Sequence, residues 1–243
     1  MERVGVVTDL FRYPVKSMAG LRLPSASLGW HGIDGDRRFA FRREDQKGGM
    51  PWLTAVRLPS LILYRPHAAG AVDEGPTHVT TPKGEALELD GEPLRAELSA
   101  ASGGGVRLMR LDRGTFDDAP LSLISAASIR SIATDVGRGL DVRRFRPNIV
   151  VETASGQPFP EEAWIGGRVG FGEGAEGPAM SVTRRDVRCA MIGLDPDTAV
   201  AAPEILKVNA KINETCLGVY GSTLRTGFLK VGDSVYLLDH REA

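Results

Sequence analysis

One cysteine stands in a run of cationic residues that could activate its sulfur. The run is TRRDVRC, Thr183–Cys189, in which Arg188 directly precedes Cys189 and two more arginines lie close in sequence. A free cysteine is most often a small buried apolar residue. Cationic neighbours, however, favour the thiolate, which acts as a nucleophile and as a ligand for soft metals. Cys189 is therefore a candidate ligand or nucleophile, whereas Cys216 lacks such neighbours and is predicted to be structural.

The densest positive charge is the run RRFRPN, Arg143–Asn148. Planar guanidinium groups bind phosphate through paired hydrogen bonds. In an extended chain Phe145 would separate Arg144 and Arg146, which would then share one side. A solvated charged surface is the alternative, and this stretch alone leaves both interpretations open.

A third polar stretch, YPVKSMAG (Tyr13–Gly20), follows the first apolar run. A surface turn is the simplest interpretation, because proline fixes φ and stiffens the exit from a strand. The same rigidity would hold Lys16 and Ser17 in place for an anionic partner. By contrast, Gly172–Gly177 matches G-x-G-x-x-G only formally, since Pro178 and a strand follow it instead of a helix. We predict a loop there.

The elements that must position these residues are mostly short strands, recognised as β-branched or alternating runs bounded by Gly, Pro and Asp. Strands are predicted at Val4–Phe11, Arg37–Arg43, Ser60–Pro66, twice within His78–Leu89, Val106–Leu111, Leu121–Ile124, Asn148–Glu152, Gly167–Glu173 and Ala179–Arg185, and twice within Phe228–Asp239. Helices are predicted from Pro93 to the glycine run Gly103–Gly105, over Ala126–Val136 with Ser125 as N-cap, and over Pro203–Asn213. The predicted fold class is mostly β with a few helices, in two lobes: a β-rich domain over 1–104 and a barrel-like domain over 105–243.

Composition narrows the functional classes. The chain has 243 residues, is 42% hydrophobic and carries a net charge of −1, so no bulk attraction to nucleic acid or an anionic membrane is expected. No apolar run approaches the roughly 20 residues of a membrane span, and no signal peptide is visible. Two cysteines match no zinc or disulfide framework and are too few for an iron–sulfur cluster. A cytoplasmic protein with free thiols is expected.

Six motifs occur in one order along the chain. They are YPVKS-x-x-G, GDRRF (Gly35–Phe39), DDAPLSLIS (Asp117–Ser125), RFRPNIVV (Arg144–Val151), RC-x₅-DPDT (Arg188–Thr198) and the terminal VGDSVYLL. Together they resemble a MOSC-domain protein, of the family named for the C-terminal domain of molybdenum cofactor sulfurase, preceded by the family's N-terminal β-barrel domain. The resemblance covers nearly the whole chain and is strongest to members of the amidoxime-reducing type.

The resemblance implies that the chain binds molybdenum cofactor, a pterin dithiolene (molybdopterin) that carries a phosphate. Cys189 would be the molybdenum ligand. The residues expected to hold the phosphate and the pterin are Lys16, Ser17, Arg37, Arg144, Arg146, Asn148 and Arg188. Pyridoxal phosphate binding is a further association at the level of the family. Asp195 of the DPDT segment is expected to cap a turn rather than orient the ligand loop.

The chain departs from the reductase pattern close to the expected metal. Reductases of the family usually carry a Thr-Thr pair where Ile192 and Gly193 stand here, and a glycine where Ala199 stands. The missing hydroxyl groups put the substrate chemistry in question.

The resemblance implies an oxidoreductase that reduces small N-hydroxylated compounds such as amidoximes and hydroxylamines. Because the chain contains no cluster or flavin motif, a separate ferredoxin- or flavoprotein-like donor would supply the electrons. One alternative is a sulfur carrier with a persulfide on Cys189. Another is a non-catalytic module that binds molybdopterin, for which the absent Thr pair is the best support.

Overall fold

The computed structural model describes residues 1–46, 48–68, 75–174 and 176–239. In these ranges the chain forms sixteen β-strands and three α-helices. The strands are β1 (Glu2–Arg12), β2 (Leu21–Leu23), β3 (Ser25–Gly29), β4 (Gly32–Ile33), β5 (Phe39–Arg43), β6 (Arg65–His67), β7 (His78–Thr80), β8 (Ala86–Glu88), β9 (Val106–Arg110), β10 (Leu121–Ser125), β11 (Ile149–Thr153), β12 (Arg168–Phe171), β13 (Ala179–Val187), β14 (Cys216–Arg225), β15 (Gly227–Lys230) and β16 (Ser234–Asp239). The helices are α1 (Glu92–Ser102), α2 (Ala126–Val136) and α3 (Glu204–Asn213).

Seven strands close into a barrel, in the order β11-β10-β14-β13-β12-β16-β1, and β1 pairs with β11 to complete the circle. The pair β10–β11 is parallel, whereas the other barrel pairs are antiparallel. Alternating apolar residues of these strands fill the interior, among them Val7, Phe171, Met180 and Val219. The prediction of a mostly β, barrel-like fold is confirmed.

Helices α2 and α3 cover one outer face of the barrel. All five residues of β10 are buried because this strand faces the interior on one side and the helices on the other. Ser125 caps α2 by accepting a hydrogen bond from the Ser128 N–H, as predicted, and Gly137 ends the helix with a φ of 80°. Ile129 and Ile205 belong to the apolar cluster beneath these helices, which also contains residues of the candidate site described below.

A smaller lobe packs beside the barrel. It consists of the antiparallel pair β5–β9, the three-stranded sheet β6-β7-β8 and α1. Phe41, Leu61, Leu94 and Leu98 lie in its separate core.

The chain crosses between these lobes. Strands β1 to β4 pair with one another and with strands from the C-terminal half: β1 with β11 and β16, and β3 with β15. Conversely, β9 at Val106–Arg110 pairs with β5 of the smaller lobe. The domain limits 1–104 and 105–243 stay a prediction.

The strand predicted at Ser60–Pro66 is wrong over its first half. Residues Pro59–Leu63 form a 3₁₀ helix, and β6 begins only at Arg65. Proline at the first turn favours this helix because its φ is already helical and its missing N–H is not needed there. Leu61 and Ile62 are consecutive and both buried, whereas a strand would place them on opposite faces.

The glycine-rich run at 172–177 lies between β12 and β13, so a strand and not a helix follows it directly, as predicted. Ala175 lies outside the described residues. None of the helices in the described ranges has the length and apolar character needed to cross a membrane.

Candidate functional site

Six of the eight residues expected at the site line one cleft. They are Ser17, Arg37, Arg144, Arg146, Arg188 and Cys189. The cleft, called the arginine cleft below, has a volume of about 340 Å³ and is lined by residues of both lobes. Segments more than 100 residues apart in sequence therefore converge on one cationic cavity.

The two cysteines differ in environment. Cys189 follows the end of β13 and is the first residue before a short 3₁₀ helix, Ala190–Gly193, where its side chain is exposed and lines the cleft. Cys216 begins β14 and is buried, and burial raises the pKa of its thiol. Cys189 is thus the thiol that a ligand in the cleft can reach.

The arginines next to Cys189 in sequence do not all face it. Arg184 pairs with Asp118 at 2.6 Å, and Arg185 pairs with Glu214 at 2.6 Å. Neither lines the cleft. These two arginines are close to Cys189 in sequence but pair with carboxylates outside the cleft, so Arg188 is the arginine of this run that lines it.

Arg188 does line the cleft, but its guanidinium is fully engaged in holding the wall. Its Nε donates to the Leu217 carbonyl at 2.7 Å and its Nη1 to the Phe145 carbonyl at 2.7 Å. Its Nη2 lies 2.9 Å from the Asp186 carboxylate. Only 7% of the Arg188 side chain is exposed. This residue positions the cleft wall, and a direct contact with a ligand stays a prediction.

Three residues of the cleft adopt backbone conformations that L-amino acids disfavour. Ser17, Arg37 and Arg146 have φ values of 64°, 49° and 50°. A non-glycine residue in this left-handed region costs about 1–2 kcal/mol. Such strain concentrates at functional sites, where surrounding contacts impose it.

Tyr13 lies against two of these arginines. The guanidinium carbon of Arg146 lies 4.1 Å from the centre of its ring and that of Arg37 lies 4.9 Å away. A Cβ at Gly20 would overlap this ring, which explains the glycine of the YPVKS-x-x-G motif. Burial raises the pKa of the Tyr13 hydroxyl above its ordinary range, so the ring is neutral.

Arg146 retains unused hydrogen-bonding capacity. Its Nη1 donates to the Met18 carbonyl at 2.6 Å, whereas its buried Nη2 has no partner in the described residues. Burial lowers the pKa of Arg146 to about 10, with neighbouring Arg37 acting in the same direction. The guanidinium stays charged at neutral pH, and an anion would satisfy it.

Arg144 is held from the other side of the cleft. It donates to the Gly193 carbonyl at 3.1 Å and pairs with Asp195 at 2.6 Å, and its buried Nε is also without a partner in the described residues. Asp195 Oδ1 in turn accepts from the backbone N–H groups of Asp197 and Thr198, so its predicted turn-capping role is confirmed.

The departures from the family pattern lie on the same turn. Ile192 is only 3% exposed and packs in the cluster under the helices. A Cβ at Gly193 would lie 3.0 Å from the Ala202 carbonyl oxygen, so a larger residue requires backbone movement. Ala199 has a φ of 58°, a conformation that the glycine of the family pattern adopts without strain.

Lys16 and Asn148 lie next to the cleft rather than on its surface. Lys16 is 4% exposed and donates to the Thr115 carbonyl at 3.0 Å and to Asp117 at 2.5 Å. Burial lowers the pKa of Lys16, and the carboxylate of Asp117 opposes that shift. Asn148 is buried, and its amide accepts from the Ser122 N–H and donates to the Phe11 carbonyl. The amide group thus connects strands, and its contact with a ligand stays a prediction.

Sequence reasoning missed five polar residues of the cleft: Thr54, Asp117, Ser122, Asp186 and Tyr220. Ser122 Oγ donates to Asp186 at 3.0 Å, and the Tyr220 hydroxyl also binds this carboxylate. Burial raises the pKa of Asp186, and Arg188 opposes the shift. The DDAPLSLIS motif contained the signal for Asp117 and Ser122, whereas Tyr220 required knowledge of strand pairing.

No three His, Cys, Asp or Glu side chains converge as a metal site within the described ranges. A cavity with one exposed thiol and two buried guanidinium nitrogens without a partner in the described residues suits an anionic group.

Two family descriptions match the chain. The MOSC domain matches residues 105–236, which is more than half of the chain, and the MOSC N-terminal beta barrel domain matches residues 4–118. The chain belongs to the MOSC family. It is related to proteins named for amidoxime reduction and for molybdenum cofactor sulfuration.

These MOSC relatives are distant and longer. Mitochondrial amidoxime reducing component 2 from Bos taurus is 31% identical over 133 residues, covering 49% of this chain and 37% of the relative. Molybdenum cofactor sulfurase from Drosophila grimshawi is 28% identical over 257 residues, covering 87% of this chain and 31% of the relative. The chain thus spans about a third of the length of the curated relatives it matches.

A solved structure shares the fold of this MOSC chain. The YuaD protein from Bacillus subtilis superposes with a TM-score of 0.50 over 96% of this chain and 94% of its own, at 15% sequence identity. At this identity the likeness concerns the fold alone.

Proposed function

We propose that this protein binds molybdenum cofactor in the arginine cleft and reduces N-hydroxylated compounds there. The observation that carries the proposal is the convergence of one exposed thiol, Cys189, with Ser17 and four arginines in a single cavity. The relationship to an amidoxime reducing component supports the reaction type. We propose the cytoplasm as the compartment.

The donors of the cleft suit a phosphorylated pterin. The Ser17 hydroxyl makes no hydrogen bond within the described residues and lines the cleft. Arg144 and Arg146 each keep a buried nitrogen without a partner there. A buried donor without a partner costs about 1–3 kcal/mol, more when charged, so a dianionic phosphate would remove a penalty as well as add contacts. Pyridoxal phosphate stays a prediction without support from the cleft, whose described lining contains no lysine.

Each residue then has a role. The Cys189 sulfur would bind the metal, Ser17, Arg37, Arg144 and Arg146 would hold the phosphate and pterin, and Arg188 would fix the wall behind them. When bound, the cofactor supplies the two-electron redox chemistry. The chain supplies orientation and a polar environment.

The overall reaction consumes protons as well as electrons. The N–O bond of the substrate breaks, two electrons and two protons are taken up, and the oxygen leaves as water while an amine or amidine forms. A separate electron-transfer protein of the ferredoxin or flavoprotein class supplies the electrons. The hydroxyl of Tyr220 and the carboxyl of Asp186, which share a hydrogen bond in the cleft, are placed to hold a proton close to the substrate.

The test compares two cysteine variants expressed in a host that makes the cofactor. Cys189→Ala should lose most of its molybdenum and all reduction of benzamidoxime by an artificial electron donor. Cys216→Ala removes a thiol of the same chain outside the cleft and should keep both. Equal molybdenum in wild type and Cys189→Ala would exclude Cys189 as the ligand.

A second candidate function is sulfur transfer. The exposure of Cys189 and the relationship to molybdenum cofactor sulfurase favour it. In this reaction a persulfide sulfur, transferred from a cysteine desulfurase, would form on Cys189. Mass spectrometry of cofactor-free protein after incubation with a desulfurase and cysteine should then show one added sulfur on Cys189, and its absence would remove this candidate. A purely binding role, suggested by Ile192 and Gly193 at the Thr-Thr positions, predicts a loaded cofactor without turnover of any N-hydroxylated substrate.

A further inference from the structure

A second cavity beside Cys189 is lined by apolar residues only. It has a volume of about 240 Å³, and all ten of its lining residues are glycine, alanine, proline, valine or leucine. We call it the apolar groove and define it by Val56, Pro59, Ala190, Leu194, Ala202 and Leu206. With no charged or polar side chain among its described lining residues, the groove offers a ligand apolar contact and backbone groups.

The apolar groove adjoins the arginine cleft. Val56 lines both cavities, and Ala190 of the groove is the residue after Cys189. The groove therefore lies close to the segment that carries the exposed thiol.

The rim around this junction is also apolar. Met50, Val56 and Val187 line the arginine cleft, and their exposed fractions are 56%, 55% and 66%. They come from three separate segments and expose apolar surface to water, at a cost that a bound apolar group would remove. Clustered exposed apolar side chains beside a polar cavity are typical of a ligand-binding surface.

Charge separates the two cavities. The arginine cleft contains Arg37, Arg144, Arg146 and Arg188, whereas the groove contains no ionisable side chain. An anionic cofactor is attracted to the cleft and gains nothing from the groove. A neutral molecule that binds beside Cys189 finds an extended apolar contact surface in the groove and its rim.

We propose that the apolar groove binds the aryl or alkyl body of the substrate, so that the protein selects N-hydroxylated compounds with a sizeable apolar group. This proposal rests on the proposed function. The volume is adequate, since an apolar cavity of about 150 Å³ in another protein binds benzene. A protein interface buries about 1,200–2,000 Å², far more than a groove of this size supplies, which favours a small-molecule group as the occupant.

The test uses two substrates that differ only in the apolar body, acetamidoxime and benzamidoxime. Binding is measured directly by calorimetry on the cofactor-loaded protein without an electron donor, and turnover is measured separately with reduced methyl viologen. Benzamidoxime should bind about 10-fold or more tightly than acetamidoxime, because a phenyl ring buries several more apolar carbons than a methyl group.

Two groove variants and one control locate the effect. Val56→Asn and Leu206→Asn each place a polar group in the groove and should reduce the preference for benzamidoxime severalfold. Val200→Asn changes another exposed valine, 66% accessible against 55% for Val56, that lines neither cavity, and it should leave the preference unchanged. Circular dichroism confirms that each variant is folded.

The outcomes separate this proposal from the proposed function. Selective binding of benzamidoxime without any turnover would refute the reductase function and leave the groove assignment intact. Equal affinity for the two compounds, or a preference unchanged in both groove variants, would overturn the groove assignment. If the groove variants keep the preference but turn over more slowly with a ferredoxin as electron donor, and not with methyl viologen, the groove would be assigned to binding of the electron donor instead.

Discussion

Replacing Ser17 by glycine should stabilise the cofactor-free protein and weaken its hold on the cofactor at the same time. Ser17 has a φ of 64°, which glycine adopts without a steric penalty. Relief of the left-handed conformation is worth about 1–2 kcal/mol, and the greater freedom of glycine in the unfolded chain returns roughly 0.5–1 kcal/mol. The net gain of about 0.5–1 kcal/mol corresponds to a Tm increase of about 1–4 °C for a chain of this size.

Ser17→Ala is the matched variant. It removes the same hydroxyl but keeps the left-handed backbone, so its stability should stay close to that of the wild type. A hydrogen bond to a charged group is worth about 1.5–3 kcal/mol, so both variants should retain the cofactor about 10- to 100-fold less tightly. The two substitutions thus separate backbone strain from ligand binding at one position.

Two assays decide the matter: urea unfolding of cofactor-free protein, and pterin per chain after exhaustive dialysis of loaded protein. If Ser17→Gly proves no more stable than Ser17→Ala, the left-handed backbone of Ser17 does not carry the energetic cost assigned to it. If both variants keep as much pterin as the wild type, the Ser17 hydroxyl does not contact the cofactor.

Three further predictions concern the supports of the cleft. Gly20→Ala places a methyl group against a buried tyrosine ring and should lower the free energy of unfolding by about 1–3 kcal/mol. Gly139→Ala is the control, because nothing lies within 4 Å of the new methyl group and stability should stay unchanged. Urea titrations compare the two variants. Arg188→Gln leaves a buried carboxylate without its charge partner and should lower the free energy of unfolding by about 3–5 kcal/mol. Arg184→Gln breaks an exposed pair and should lower it by less than about 1 kcal/mol. Similar losses in the two variants would contradict the structural role of Arg188. Burial raises the pKa of the Glu161 carboxyl, so the folded state binds this proton more tightly than the unfolded state does. The free energy of unfolding should therefore fall as pH rises from the ordinary pKa of 4.5 through the raised pKa of the folded state. Unfolding curves at several pH values should show a weaker pH dependence for Glu161→Gln, and an unchanged dependence would show that another group titrates.

Many residues of the candidate site could be predicted from the motifs, because each motif is a short local pattern in the sequence. YPVKS and RFRPN both supply residues of the cleft, although their conformations were not predictable. Arg144 and Arg146 were expected to share one side of an extended strand. Instead Arg144 ends a 3₁₀ helix at Val142–Arg144 and Arg146 has a positive φ, and they meet at the cleft through this turn. Neither serine nor arginine has a local preference for such angles, so only the folded context reveals them.

The contacts that could not be predicted depend on pairing between residues far apart in sequence. Tyr220 lies opposite Arg184 across β13 and β14, and its hydroxyl binds the carboxylate of Asp186, two residues further along β13. The Tyr13 ring contacts Arg146 across 133 positions of sequence. Strand β1 closes the barrel by pairing with β11 about 140 positions later. Composition and periodicity describe neighbours along the chain and do not specify such contacts.

The most direct test of the proposed cofactor is the molybdenum and pterin content of the wild-type protein purified from a cofactor-competent host. We predict close to one molybdenum and one pterin per chain, with both reduced in an Arg146→Met variant that removes an unsatisfied guanidinium from the cleft. Wild-type protein without either component, from cells in which another molybdenum enzyme is fully loaded, would contradict the assignment.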